Sequence, residues 1–349
     1  MIDRSFGWAW AMNNDTPSML VRTEDGGVHW KNVTPNGLAS EVGNVFLDSE
    51  NAWVAATNTT GEWQLFHTND GGITWEVLPV VDAIKYSDLR FFTPLEGVAV
   101  IMDGAAGSAY YTVYETTDGG KEWSLIPFLP PSSDENLPEG TLRLCNICGD
   151  IFYYDGVRSM IIKGDMASDA TGKFQILTSF DRGATWMTSE ITLPAQYAAG
   201  NVNPFMPIFY MNTGTLPVNV VKYGQSTPEF SELVVYRTED GGATWSLQPV
   251  QINIQQALPD PIHYVDVNTF YTQCGNGLCY TTDGSNTFIS NPLPIPLGDR
   301  PADMLSLDQY QFVGPEAGYA LTKLGEKYQF WRSLDYGLHF DEILPLLEK

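Results

Sequence analysis

The sequence predicts an all-β protein, a single seven-bladed β-propeller of four-stranded antiparallel sheets. Three observations lead there. The octapeptide Thr238–Trp245, TEDGGATW, recurs in stronger or weaker form seven times along the 349 residues. The aspartates of successive copies stand 45, 48, 63, 59, 43 and 52 residues apart, close to the repeat length that holds four strands. Between the copies lie short β-branched and aromatic runs such as Leu233–Tyr236, and no stretch with helical periodicity.

The consensus is Ser/Thr-x-Asp-x-Gly-x-x-Trp/Phe. Its first three copies are Thr23, Asp25, Gly27, Trp30; Thr68, Asp70, Gly72, Trp75; and Thr116, Asp118, Gly120, Trp123. Next come Ser179, Asp181, Gly183, Trp186 and Thr238, Asp240, Gly242, Trp245. The sixth is worn (Thr281, Asp283, Ser285, Phe288), and the seventh is Ser333, Asp335, Gly337, Phe340. An aspartate in a turn accepts hydrogen bonds from main-chain N–H groups just beyond it, which holds the bend. Glycine two residues later supplies the positive φ of a tight hairpin. The aromatic residue leads the outgoing strand and buries a large apolar area. Each copy therefore reads as the hairpin between the third and fourth strands of a blade.

The first two strands of each blade are apolar runs broken by a short turn. Examples are Val45–Asp48 with Ala52–Ala55, Leu89–Phe92 with Gly97–Val100, and Tyr310–Val313 with Gly318–Leu321. The expected blades of this one domain, residues 1–349, are 1–35, 41–80, 86–129, 142–193, 204–250, 262–293 and 305–347. Aligning Asp3–Ala9 with Asp48–Val54 puts Met1 near the end of a first inner strand, so the N-terminus is expected to be trimmed. The chain ends soon after the last strand of blade 7, with no spare strand for blade 1. Closure is expected from side-chain packing between blades 7 and 1, or from an upstream segment. The long inserts 130–139, 164–172 and 223–230 fall on the rim away from the aspartate turns, and a partner is expected there.

The motif resembles the Asp-box, or BNR, repeat found in sialidases, other glycoside hydrolases, sortilin-type receptors and photosystem II assembly propellers. The resemblance covers essentially the whole chain and implies the propeller, which hosts many functions. A sialidase would bring an arginine triad, an Arg-Ile-Pro motif near the start and a Tyr/Glu pair. The Arg-Ile-Pro motif is absent. Arg22, Arg237 and Arg332 stand directly before the turn hydroxyls and are expected to decorate the surface. The assembly propellers would imply an arginine-rich patch, which the composition does not supply.

The net charge is −24, from 42 acidic and 18 basic residues. Generic nucleic-acid binding and docking on an anionic membrane both need clustered Lys/Arg, so the charge disfavours both. The charge serves solubility, and beyond that suits a cationic partner or bound Ca²⁺. Cys274 with Cys279 and Cys145 with Cys148 read as two local disulfides, hence an extracellular or cell-envelope location. A four-cysteine zinc site is disfavoured because the pairs fall in different blades, and a redox dithiol because a βαβ context is missing.

No catalytic motif stands out. Asp103, Asp165, Asp169 and Asp299 are the loop carboxylates that would serve a glycosidase as acid and base, and Asp165 with Asp169 the acids for Ca²⁺. Trp63, Tyr110, Tyr197 and Phe230, near the inserts, are the aromatic candidates for a sugar or peptide. His29, His67, His263 and His339 sit in or beside turns or open a strand, where packed or surface roles are commoner than base catalysis. The reading is a non-enzymatic extracytoplasmic binding propeller for a protein or glycan, alone or in a larger assembly. A carbohydrate-active hydrolase is its alternative.

Overall fold

The computed structural model describes residues 1–13, 16–79, 88–103, 109–127, 141–144, 150–164, 172–223, 228–249, 252–253, 262–274, 277–292, 305–314, 317–324 and 327–348. Most of them lie in seven sheets arranged as a propeller. Blade 2 shows the plain pattern: Leu38–Phe46, Ala52–Asn58, Trp63–Thr68 and Glu76–Leu78 pair in chain order. Its second strand is buried continuously from Ala52 to Ala56, because a neighbouring blade covers each face. The one helix among the described residues is a single 3₁₀ turn, Ala195–Tyr197, and among them no helix is long and apolar enough to cross a membrane.

The apolar core is divided into layers between successive blades. Trp8 and Leu20 of blade 1 meet Val54 and Phe66 of blade 2. Trp53 and Leu65, on the other face of blade 2, meet Leu89 and Phe91 of blade 3. Between blades 4 and 5, Met160, Ile162, Phe174 and Ile176 pack against Val218, Val220, Val234 and Tyr236. Strand alternation sends successive side chains to opposite blade faces, so each blade contributes to two layers.

Two blades depart from the sequence reading. Thr141–Leu144 pairs with Ala109–Thr112, so it lies along the outer side of the third strand of blade 3 instead of opening blade 4. The first strand of blade 4 is Ile151–Tyr154. In blade 5 the first strand is split into Asn201–Pro204 and Ile208–Tyr210, both on Thr213–Tyr223.

Ring closure also corrects the expectation. Blade 1 contains Gly7–Asn13, Thr16–Thr23 and His29–Asn32, and Leu346–Leu347 adds in parallel to the outermost of these. Leu346 N donates to Val28 O at 2.8 Å and Glu348 N to Trp30 O at 2.8 Å. A spare strand does therefore exist, too short to carry a readable pattern. The anticipated side-chain packing is present beside it, with Trp30 edge-on to Phe330 at 6.4 Å.

Candidate functional site: the turn rim

The seven aspartate turns are built alike. In each, the Ser/Thr hydroxyl donates to the Asp Oδ1, from 2.7 Å at Thr238–Asp240 to 3.0 Å at Thr23–Asp25. The same hydroxyl accepts the N–H four residues on, at Gly27, Gly72, Gly120, Gly183, Gly242, Ser285 and Gly337. The N–H four residues past the aspartate closes the loop onto Oδ1. The worn sixth copy keeps every bond, because Ser285 adopts φ 74°.

A side chain four residues past the aspartate adds a bond to Oδ2 in six turns. Thr74, Thr185, Thr244 and Thr287 do so with a hydroxyl. His29 and His339 do it with Nδ1, at 2.7 and 2.6 Å, which gives these two histidines a structural task. Burial raises the Asp25 pKa, but bonds from the His29 main chain and ring and from the Thr23 hydroxyl outweigh it and leave the group at about 2. Asp240 reaches about 2 in the same way, burial being opposed by bonds from Thr244 and Thr238.

A second set of turns shares this rim, between the first and second strands. Asp3, Asp48, Asp155 and Asp266 each accept two main-chain N–H groups, for example Glu50 N and Asn51 N on Asp48 Oδ1, both at 2.7 Å. The two sets are stitched together within a blade. Gly26, Gly71, Gly119, Gly241 and Gly284 donate to Ser5, Glu50, Leu95, Asn212 and Asn268 carbonyls at 2.7–2.9 Å.

Arginines and tryptophans then tie blade to blade. Arg22 Nε donates to Ser49 O of blade 2, Arg237 Nη2 to Asn268 Oδ1 of blade 6, and Arg332 Nη1 to Gly26 O of blade 1. These arginines were expected to decorate the surface. They act instead as clasps, because each next blade presents outward-facing carbonyls within a guanidinium's reach. Trp8 Nε1 reaches Asp48 O and Trp53 Nε1 reaches Gly119 O in the same sense. Arg158, 5 % exposed, pairs with Asp155, donates to Met211 O at 2.5 Å and stacks on Phe209 at 3.9 Å.

On this braced rim an apolar arc faces solvent across blades 3, 4 and 5. Phe92 and Leu95 come from blade 3, Val157 and Phe180 from blade 4, Tyr210 and Met211 from blade 5. Leu95 is 59 %, Val157 66 % and Met211 75 % exposed. The arc is continuous: Phe92 leans over Gly156 and Phe180 over Gly241, ring carbons lying 3.4 and 3.1 Å from where a Cβ would stand. Single exposed apolar residues are ordinary, whereas these run across three blades. The sequence held a signal for it, apolar residues inside turns that otherwise take Gly, Asn and Asp.

Among the described residues the sequence-derived candidates are not drawn into one site. Asp165, Asp169, Asp299, Cys145 and Cys148 lie outside the described residues. Asp103 ends the second strand of blade 3, opposite Tyr110. Trp63 and Tyr110 are half-buried in third strands. Tyr197 is a correction: at 5 % exposure it belongs to the layer between blades 4 and 5 and offers no stacking face. Phe230 packs on it at 5.7 Å. The Tyr197 hydroxyl donates to Glu232, and burial together with that carboxylate pushes the phenol up to about 12. Glu232 sits on the third strand of blade 5, between Val220 and Asn253, so this Tyr/Glu pair braces a blade. Register puts Cys274 opposite Gly277 and Cys279 opposite Thr272, on one face of the hairpin. Among the described residues no group of three His, Cys, Asp or Glu is placed to hold a metal.

No protein-family model matches the chain, and no curated protein matches it in sequence. Solved structures do. One, described as YCF48 bound to D1 peptide, superposes with a TM-score of 0.50 at 16 % identity, over 95 % of this chain and 91 % of that one. YCF48 from Cyanidioschyzon merolae gives 0.45 at 14 %, over 89 % and 86 %. The α-L-arabinofuranosidase Arb93A from Fusarium graminearum gives 0.43 at 13 %, over 86 % and 94 %. The first of these likenesses shows the fold, which hosts both binding proteins and enzymes.

Proposed function

We propose that this chain is a non-enzymatic binding propeller that presents its turn rim to a protein partner. The observation that carries the reading is the exposed apolar arc on a rim whose main chain is fixed by aspartate turns and arginine clasps. A fixed surface loses little freedom on binding, so modest apolar contacts yield useful affinity. The YCF48 structure with a D1 peptide supports the idea that a propeller of this shape holds a polypeptide. As part of the same reading, the turns are Asp-box repeats, Cys274–Cys279 and Cys145–Cys148 are disulfides, and the protein works outside the cytoplasm.

A photoreactive side chain placed at Val157 in the source cell should yield a discrete protein adduct, and one at the still more exposed Ile73 of blade 2 should not. No adduct from position 157, or one of equal yield from both positions, contradicts the reading.

A glycoside hydrolase is the alternative, favoured by one observation. Asp150, 8 % exposed, stands just before the innermost strand of blade 4, held by Lys163 Nζ at 2.9 Å and Gly164 N at 3.1 Å. A glycosidase needs a second carboxylate about 5–9.5 Å away. Release of sugar from a polysaccharide panel, abolished in Asp150→Asn with the fold intact, would establish this alternative.

A further inference from the structure

We propose that the apolar arc docks a basic, amphipathic segment of the partner. This rests on the binding reading and adds the partner's chemistry. The arc mixes rings with flexible aliphatic side chains: Phe92, Phe180 and Tyr210 beside Leu95, Val157 and Met211. Methionine and leucine adapt to a helix or strand face carrying apolar side chains, and they lack the donors and acceptors a glycan needs.

Carboxylates outnumber cations at the border of the arc. Glu96, Asp181, Glu239 and Asp240 are exposed around it, with Lys121 of the blade 3 turn as an exposed cation among them and Glu239 paired with Arg237. The neighbouring arginines are already engaged. Arg182 gives both terminal nitrogens to Glu115, at 2.8 Å each. Arg237 bonds Glu239 and blade 6, and Arg158 is buried beneath Val157. An incoming chain therefore meets apolar side chains edged by carboxylates on a protein of net charge −24. Lysine or arginine flanking an apolar stripe complements that surface, and the charge steers its approach. A second copy of this chain does not fit, since face-to-face pairing would oppose two carboxylate-edged arcs.

The test uses a synthetic amphipathic Leu/Lys peptide, its Leu/Glu twin, and the whole chain as wild type, as the double variant Leu95→Asp/Val157→Asp, and as the control Ile73→Asp. Affinity is read by calorimetry, and folding of each variant by thermal melting. The Leu/Lys peptide is expected to bind wild type and the control equally, to lose about tenfold or more in affinity for the double variant, and to weaken as salt rises. The Leu/Glu twin is expected not to bind. Equal binding of both peptides, each weakened by the double variant, overturns the charge inference and leaves the protein-binding reading standing. Leu/Lys binding unchanged by the double variant, or no binding at all, overturns the proposed docking site, while the crosslink at Val157 reports separately on the function.

Discussion

Between blades 4 and 5 the contact is a wall of side chains, with Ile162, Ile176, Val218, Val220 and Val234 all fully buried. Between blades 7 and 1 it is largely directional. Leu346–Leu347 lies along the Trp30 strand, Tyr319 Oη donates to Arg4 O at 3.0 Å, and Arg332 reaches Gly26 O. The difference follows from chain connectivity. Blades 4 and 5 are consecutive, so apolar packing forms as soon as both exist. Blades 7 and 1 meet across more than 300 residues, as the 306-residue separation of Arg332 and Gly26 shows. Closing a loop that long costs about 1.5 kcal/mol more than joining neighbouring blades. Two main-chain bonds at about 1 kcal/mol each offset that excess and also fix the register, which apolar packing alone leaves loose.

The largest expected effect breaks the apolar junction. Phe174→Ala removes a ring that meets Tyr236 edge-on at 5.6 Å and leaves a cavity between blades 4 and 5. It should cost about 3–5 kcal/mol, read as a lower denaturant midpoint with an unchanged slope. Leu346→Pro attacks the other junction by deleting the N–H that bonds Val28 O. About 1–3 kcal/mol should be lost. Amide exchange should speed up in the Trp30 strand and stay slow in Thr213–Tyr223. Uniform acceleration around the ring would mean that the two junctions do not open independently.

How much of this was legible in the sequence depends on whether the determinant was local. The aspartate turns were, since a hydroxyl, a carboxylate and a positive-φ residue within five positions make a complete bonding unit. Blade number and strand order followed. The clasps were not legible: Arg22 finds Ser49, and Arg158 finds Met211, only after two blades stand side by side. The strand at Leu346 is too short for alternation to show. Tyr197 looked like an insert aromatic, yet the 3₁₀ turn at Ala195–Tyr197 carries it into the apolar layer. The arc has no sequence period of its own: its exposed apolar residues occupy short turns on several blades, and only the fold sets them side by side.

A smaller effect tests whether the turns are equivalent where the junctions are not. Asp25 flanks the directional junction and Asp240 the apolar one, and both are held at about 2. In the unfolded chain a carboxyl of this kind titrates near about 4. Each therefore contributes stability that is complete above about pH 4 and is lost as the pH falls through about 2. Asp240→Asn should cost about 1 kcal/mol at neutral pH. Its difference from wild type should narrow steadily below pH 4, as measured by urea unfolding across that range. A gap that persists at pH 2 would place the role of Asp240 in shape and not in charge.

The smallest effect is a gain, and it separates the turn from the junction most cleanly. Ser285 occupies the position that glycine fills in the other six turns, with φ 74° and a buried Oγ that has no hydrogen-bond partner. A non-glycine residue in that region is strained by about 1–2 kcal/mol, and an unpaired buried hydroxyl adds to the cost. Against this, glycine loses more conformational freedom on folding, by about 0.5–1 kcal/mol. The balance favours Ser285→Gly by roughly 1 kcal/mol or less, with the Thr281 hydroxyl still accepting the main-chain N–H at 285. Because the turn is self-contained, the gain should add to the loss from Leu346→Pro without coupling. A double variant whose stability departs from the sum of the two would show that the blade 6 turn helps to hold the ring closed.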